Sequence, residues 1–406
     1  MRYDSYKDSE VQWIGEVPHH WVISKLKYVS DIVTGNTPPT KDKNNYEGGE
    51  FLWVKPNEIN GFIPTNDTNE KLTEKGKSLS RVVPPYSVLV NGIGDIGEFG
   101  LSEKSVSTNQ QIHSIVFNEK VDKRFGLFHT SMMKQGFLSN SEKVVVSILN
   151  KTKLENLKFV LPPLNEQKQI VSFLDTKTSI IDSLIQITQR KIELLKEQRT
   201  SLINKVVTKG LDPNVEMKNS DIEWIGEIPK HWEVKKLKYL FGLFGGKSVK
   251  SVQEDNGKYP IFGTGGEIID RSKDYLYNKR TLLLGRKGTI DRPFLVDEPF
   301  WVSDVIYYTV QKTNMTPDYL LYLFNTFPFD FYVYGSTQPS MSKIDYENHF
   351  FPVPPIEEQQ KIEQYLDEKN KNFKEAILKE EKRIELLKEY KQSLISEVVT
   401  GKKRVV

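Results

Sequence analysis

The sequence predicts an α+β chain written twice: two mixed α/β domains separated by two long antiparallel coiled-coil helices, with an internal pseudo-two-fold duplication. Three observations predict it. A short Trp-rich block recurs in the second half of the chain. A Pro-Pro-led block recurs after it, each time opening a long stretch with helical apolar spacing. The segments between these blocks are rich in aromatic and β-branched residues and punctuated by Gly, Asn and Pro.

The first repeated block is VQWIGEVPHHWVISKLKYVS, matched later by IEWIGEIPKHWEVKKLKYLF. Trp13, Ile14, Gly15, Glu16, Pro18, His20 and Trp21 recur as Trp224, Ile225, Gly226, Glu227, Pro229, His231 and Trp232 at one constant offset. The second block, PPLNEQKQIVSFLD from Pro162, recurs as PPIEEQQKIEQYLD from Pro354. The pairs KIELLKE and RIELLKE, and SLINKVVT and SLISEVVT, follow in the same order. Between the blocks, residues 31–161 and 242–353 show little similarity to each other. A repeated frame with unlike inserts suits a molecule that makes one attachment twice and recognises two different things.

The helical stretches carry the clearest local signal. Ile170, Leu174, Ile181, Leu184, Ile192, Leu195, Leu202 and Val206 form one stripe, and Ile362, Leu366, Phe373, Ile377, Ile384, Leu387, Leu394 and Val398 form its counterpart. The double prolines set up helix entry, with Asn165 as a candidate N-cap, while Gly210, Pro213 and Gly401 mark the ends. Roughly 43 residues at ~1.5 Å each make a rod of about 65 Å. A stripe so narrow on so long a helix needs a partner helix, and the other copy is the obvious one. Antiparallel pairing about a pseudo-two-fold would place the inserts at opposite ends; the alternative is two separate helices, each packed on its own insert. The expected division is 1–161 (first globular domain), 162–209 (first long helix), 210–221 (a polar linker with Gly and Pro), 222–353 (second globular domain) and 354–406 (second long helix).

In the inserts, strand-like runs fall at 51–55, 87–91 and 112–117, and at 280–284, 300–303 and 305–310. Segments 124–134 and 318–327 read as helical. Arg271, Lys273, Lys279, Arg280, Arg286, Lys287 and Arg292 cluster against only Asp274 and Asp291, with Tyr275 and Tyr277 interleaved. Such a face suits phosphate or base contacts, or plain solvation. Asn109, Gln110 and Gln111 precede a strand; amides of this kind pair with adenine in the major groove, and they also cap turns.

Composition excludes several classes. The chain has 406 residues, 37% hydrophobic and 27% charged, with a net charge of +3 and no cysteine. Disulfides and thiolate metal sites are therefore absent, no apolar run approaches a membrane span, and a cytoplasmic location is expected. Gly92, Gly94 and Gly97 fit a dinucleotide-loop spacing, but no amphipathic helix follows, so a glycine-rich hairpin is expected. Gly245-Gly-Lys-Ser248 lacks the first glycine of a phosphate loop, and Val83 replaces the Asp or Asn of a methyltransferase motif before Pro84-Pro85-Tyr86. The six histidines have no metal spacing, and no catalytic triad is evident.

Trp13 to Trp21, repeated at 224–232, resembles the segment that opens each half of type I restriction-modification specificity subunits. Leu161-Pro-Pro-Leu-Asn-Glu-Gln-Lys-Gln-Ile170, repeated at 353–362, resembles the entry to that family's long helices. Thr34-Gly-Asn-Thr-Pro38 with Trp53-Val-Lys55 looks like part of a target recognition domain. So do Pro260-Ile-Phe-Gly263 with Leu284 to Ile290, and Gly335-Ser-Thr-Gln338. The resemblance implies a non-catalytic subunit whose two inserts are target recognition domains, each reading one half of a bipartite, asymmetric double-stranded DNA target. The helices would fix the unread spacer and dock two modification subunits. Restriction subunits would complete the assembly. S-adenosylmethionine, ATP and Mg²⁺ would serve those partners, leaving no cofactor, metal or catalytic residue in this chain. The candidate DNA contacts are Lys55, Asn57, Asn91, Asn109 and Gln110 in the first insert. In the second they are Arg271, Arg286, Lys287, Thr289, Arg292 and Gln338. A two-headed protein-interaction scaffold on a coiled-coil stalk is the competing expectation.

Overall fold

The computed structural model describes residues 2–140, 142–143, 147–332 and 339–405. The chain divides into two compact units, Met1–Ile187 with Arg383–Val406, and Thr188–Lys382. Each unit holds one globular head and a part of both long helices.

The helices run over Leu164–Lys209 and Ile356–Val399. Each starts directly after its Pro-Pro pair, where the fixed proline φ suits the entry and the prolyl carbonyl accepts the first helical bond, Gln167 N–H to Pro163 O at 3.0 Å. Asn165 therefore lies inside the first turn and is not the N-cap. Gly210 and Gly401 close the helices at φ +74° and +73°, donating to Val206 O and Val398 O.

Within the first unit, Asp182 of one helix pairs with Lys391 of the other at 2.7 Å. Within the second unit, Lys191 pairs with Glu380 at 2.6 Å, and Arg199 Nε donates to Asn370 Oδ1 at 2.7 Å. Within the second unit, 191 meets 380 and 199 meets 370, so lower numbers on one helix meet higher numbers on the other and the pairing is antiparallel there. The stripe is buried or half-buried throughout: Ile170, Leu174, Ile181, Ile192, Ile362, Leu366 and Leu394 are buried, and Leu184, Leu195, Leu202, Ile377, Ile384 and Leu387 half-buried. Each helix also packs on its own head. Ile170 and Leu174 join Phe125, Phe159 and Trp21 in the first core, and Ile362 and Leu366 join Tyr319, Phe351 and Trp232 in the second. The helices therefore pack on their own heads and also pair with each other, so the alternative of separate helices does not hold.

The heads share one topology despite their dissimilar sequences. The first has a four-stranded sheet in the order Ser30–Thr34, Ile112–Phe117, Ser87–Asn91, Phe99–Ser102. The second repeats it as Phe241–Gly245, Ile306–Gln311, Thr281–Gly285, Phe294–Val296. A second sheet in each head contains a parallel pair, Phe51–Val54 beside Val106–Thr108, and Tyr259–Phe262 beside Trp301–Val302. The expected helices appear as Lys123–Met132, capped by Asp122, and Pro317–Phe324, capped by Thr316. The expected strand at 300–303 shrinks to two residues, with Phe300 buried just before it.

The polar segment 210–221 is not wholly a linker. Met217–Asn219 forms a strand against Glu227–Pro229, the counterpart of Tyr6–Asp8 against Glu16–Pro18. Polarity conceals it, because Lys218 and Asn219 are exposed and the apolar anchor of the ribbon, the fully buried Ile228, lies on the partner strand. The glycine-rich segment at 92–97 links the antiparallel strands Ser87–Asn91 and Phe99–Ser102, with Gly94 and Gly97 at positive φ. Among the described residues, no helix is long and apolar enough to cross a membrane.

Candidate nucleic-acid interface

Each head is set on its helix by the repeated motif residues. In the first unit, Glu166 accepts from Trp21 Nε1 at 3.0 Å and His20 Nε2 at 2.7 Å. In the second, Glu358 accepts from Trp232 Nε1 at 2.9 Å and His231 Nε2 at 2.6 Å. Both tryptophans are fully buried, so the carboxylate satisfies an indole N–H that water cannot reach. The next residue repeats too. Gln167 donates to Pro162 O (2.8 Å) and Lys120 O (3.0 Å) and accepts from Asp122 N–H (2.7 Å). Gln359 donates to Pro354 O (2.9 Å) and accepts from Thr316 N–H (3.0 Å). One glutamine thus ties each long helix to the cap of a head helix.

At the end of each four-stranded sheet, a second duplication emerges that the sequence hides. Gly35 N–H donates to Ile112 O, and Gly246 N–H to Ile306 O. Asn36 N–H donates to Thr108 O, and Lys247 N–H to Val302 O. Gly92 N–H donates to Gln111 O, and Arg286 N–H to Val305 O, both at 2.8 Å. Leu149 N–H donates to Gly92 O, and Met341 N–H to Arg286 O. Four backbone bonds hold the same four segments in the same relation in both heads. The glycine that starts the frame is obligatory for space: a Cβ at Gly35 would lie 2.2 Å from the Thr108 and Asn109 carbonyl oxygens, and one at Gly246 would lie 2.0 Å from Ser303 O.

The frame is common, but the side chains on it differ. The first head presents Asn36, Gly92, Ile93, Asn109 and Gln110 where the second presents Lys247, Arg286, Lys287, Ser303 and Asp304. In the first head, Gln110 is exposed and its Oε1 accepts from Thr37 Oγ1. Asn57 is exposed on a nearby turn. Lys55 is half-buried over the Trp53 ring and paired with Glu70 at 2.8 Å. Asn109 is buried, its Oδ1 accepting from Gln111 N–H and its Nδ2 donating to Gln111 Oε1, so it caps a turn. Asn91 is 4% exposed and lies within the sheet. Burial keeps these last two amides from a bulky ligand. His113 ties the frame beneath: its Nε2–H donates to Leu149 O (2.8 Å), its Nδ1 accepts from Thr34 Oγ1 (2.9 Å), and burial holds its pKa below the usual histidine range.

In the second head, Arg286 and Lys287 are exposed, and Arg286 Nη1 donates to Asp304 O at 3.2 Å. Thr289 is half-buried facing Gly265, and Arg292 is exposed beyond it. Arg271 is exposed on a strand of the other sheet and donates to Lys258 O. Arg280 leaves the basic cluster: Asp318 and Asp297 ion-pair with it and raise its pKa, locking it as a structural cation. Tyr277 packs among Phe300 and Tyr308 and is structural as well. Gln338 and the segment Gly335 to Gln338 lie outside the described residues. Lys247, which the sequence offers only as part of a failed phosphate loop, is exposed on the frame beside Gly246, and the signal for its place is that one glycine, which the frame requires. Among the described residues, no group of three or more His, Asp or Glu is placed to hold a metal ion.

Comparison with known proteins agrees with this doubled architecture. The family described as type I restriction modification DNA specificity domain matches the chain twice, over residues 18–197 and 229–387. The chain is 27% identical to the type I restriction enzyme MjaIX specificity subunit of Methanocaldococcus jannaschii, covering 97% of this chain and 95% of that protein. It is 28% identical to the MjaVIII specificity subunit of the same organism, covering 96% and 94%. A solved chain from a study of complex assembly and conformational transition of the type I R-M system aligns with a TM-score of 0.75 at 16% identity, covering 94% of this chain and 98% of that one. The HsdS subunit from Thermoanaerobacter tengcongensis aligns with a TM-score of 0.54 at 16% identity, covering 95% and 98%. At such identities the structural likeness speaks for the fold alone, whereas the family match spans both halves in order: the chain belongs to the type I restriction-modification DNA specificity family.

Proposed function

We propose that this chain is the non-catalytic DNA-recognition subunit of a type I restriction-modification complex and that each head reads one half of a bipartite, asymmetric target. One observation carries the reading: a single backbone frame, built twice, carries two different sets of side chains, with Gln110 exposed in the first head and Lys247, Arg286, Lys287 and Asp304 exposed in the second. A common frame would approach the duplex in the same way at both half-sites, while unlike side chains select unlike bases. The paired helices set the number of unread base pairs between the half-sites. The duplicated clamps around Glu166 and Glu358 give two equivalent surfaces, which suits docking of two identical modification subunits. Those partners would bind S-adenosylmethionine. Restriction subunits would bring ATP and Mg²⁺. Among the candidate contacts, Asn57, Gln110, Arg286, Lys287 and Arg292 are exposed and carry the proposal best. Lys55, Thr289, Arg271 and Gln338 are weaker members of the same set.

The test is to map methylated adenines in DNA from cells carrying this chain and its modification partner, before and after replacing residues 242–353 with another second head. The expected result is a split motif in which only one half changes. A continuous motif, or a change in both halves, overturns the proposal, and so does salt-insensitive binding of the assembled complex.

A further inference from the structure

The duplicated frame allows the two heads to be compared position by position, and the comparison bears on the bases they read. Position 92 of the first head is glycine, and its counterpart is Arg286. Ile93 has Lys287 as its counterpart, and Gln110 has Asp304. The backbone at Arg286 is fixed from both directions, its N–H to Val305 O and its C=O from Met341 N–H. One guanidinium nitrogen is pinned by Asp304 O, and the side chain is otherwise exposed. Arg280, six residues earlier in the same basic run, is already consumed by Asp318 and Asp297.

Base chemistry then discriminates. Guanine shows two acceptors, O6 and N7, in the major groove, and its partner cytosine shows the N4 amine as a donor. Arg286 and Lys287 offer donors only, and the neighbouring Asp304 is exposed and offers an acceptor. Donors beside an acceptor form the complement of a G·C pair. A carboxylate at that point also opposes a purely phosphate-binding role, because it repels the DNA backbone. An A·T pair differs in order: it shows acceptor, donor, acceptor, and so calls for one side chain that offers both or for an acceptor between two donors, whereas the two cations here are adjacent in the chain with the acceptor beside them. At the same place the first head carries the amide of Gln110, which does offer both.

We propose that the second head reads a G·C base pair, with Arg286 and Lys287 as the guanine-specifying residues and Asp304 facing the cytosine, while the first head has no cationic counterpart. The inference rests on the two-headed DNA reading given above and names the chemistry of one head.

The test uses the full chain with its modification partner and duplexes containing the mapped target. The half-site that changes on replacing residues 242–353 belongs to the second head. In that half-site, guanine is replaced one position at a time by 7-deazaguanine, which removes N7 and leaves base pairing intact. Loss of one bidentate pair predicts weaker binding by about tenfold, within a range of roughly five- to 150-fold. Arg286→Ala should weaken binding to the natural duplex by a similar factor and abolish the sensitivity to 7-deazaguanine at one position. The same analogue in the other half-site should leave the response unaffected by Arg286→Ala. A second half-site without guanine, binding indifferent to 7-deazaguanine, or sensitivity that survives Arg286→Ala each overturns the inference while leaving the bipartite reading intact. Absence of a split motif instead overturns that reading. The analogue experiment uses the wild-type chain, so it decides the matter even if a variant folds poorly.

Discussion

Replacing Gln167 by Ala tests whether the helix-entry motif anchors the head. Gln167 is fully buried and makes three hydrogen bonds of 2.7, 2.8 and 3.0 Å to backbone groups of two segments. Truncation strands the Asp122 N–H and the Pro162 and Lys120 carbonyls away from a partner. At roughly 1–1.5 kcal/mol for each bond lost in such a setting, the variant should cost about 3–4.5 kcal/mol. Gln359 makes two such bonds, at 2.9 and 3.0 Å, so Gln359→Ala should cost about 2–3 kcal/mol. The duplication thus supplies an internal control. Native-state hydrogen exchange is the appropriate assay, because two units in one chain need not unfold together. Deprotection should concentrate around the Asp122 cap for Gln167→Ala and around the Thr316 cap for Gln359→Ala. In calorimetry, each kcal/mol should lower Tm by about 2–4 °C for a unit of this size. A loss below about 1 kcal/mol for Gln167→Ala, or a larger loss for Gln359→Ala, would refute the anchoring argument.

Three further outcomes are expected. Gly35→Ala and Gly246→Ala should each weaken discrimination at one half-site only, since the new Cβ collides with carbonyl oxygens of that head's loop frame; competition binding with duplexes altered in one half would show it, and equal effects at both halves would count against the assignment. His129 is fully buried, which pushes its pKa down to about 3, so the folded chain excludes a proton that the unfolded chain accepts below about pH 6.5. Its contribution to stability is therefore complete above about pH 6.5 and declines as pH falls towards about 3, by up to roughly 1.4 kcal/mol per pH unit; unfolding measured across that window should show a shallower slope in His129→Leu, and an identical slope would contradict the assignment. Adding one helical turn to both long helices, after Gln189 and after Glu381, lengthens the pair by about 5.4 Å, which should raise the preferred spacer by roughly one to two base pairs at ~3.4 Å each; an unchanged spacer would reject the ruler.

The frame was legible because its physics is local and periodic. The Ile170 to Leu202 stripe has helical spacing, the double prolines mark entry, and Trp, His, Glu and Gln recur because the same hydrogen bonds are made twice, those of the indoles and glutamines buried or partly so. The heads were legible only as strands and turns. Their common topology was hidden because a four-bond backbone frame constrains main-chain atoms and a single glycine, leaving the other side chains free to diverge. Burial was the least readable quantity. Asn91 and Gln110 are both amides offered as DNA contacts, one at the end of a strand and one just before a strand, yet the first is buried in the sheet and the second is exposed. Arg280 and Arg286 stand six residues apart in one basic run. Only the three-dimensional placement of Asp297 and Asp318 turns the first into a structural cation.

That division of labour has an energetic consequence. At Arg286 the frame satisfies the backbone N–H and C=O, and the side chain lies in solvent. A substitution there disturbs no core contact and should fall within about 0.5 kcal/mol of neutral for folding. At Glu358 or Gln359 of the same unit, the side chain itself satisfies the Trp232 indole N–H or the Thr316 N–H, and a change costs several times as much. Recognition and stability therefore reside in separate atoms of the same head. The exposed side chains of Gln110, Arg286 and Lys287, the proposed base contacts, can be changed while the clamp and the loop frame stay fixed, and the loop glycines Gly35 and Gly246 are where the two demands would meet.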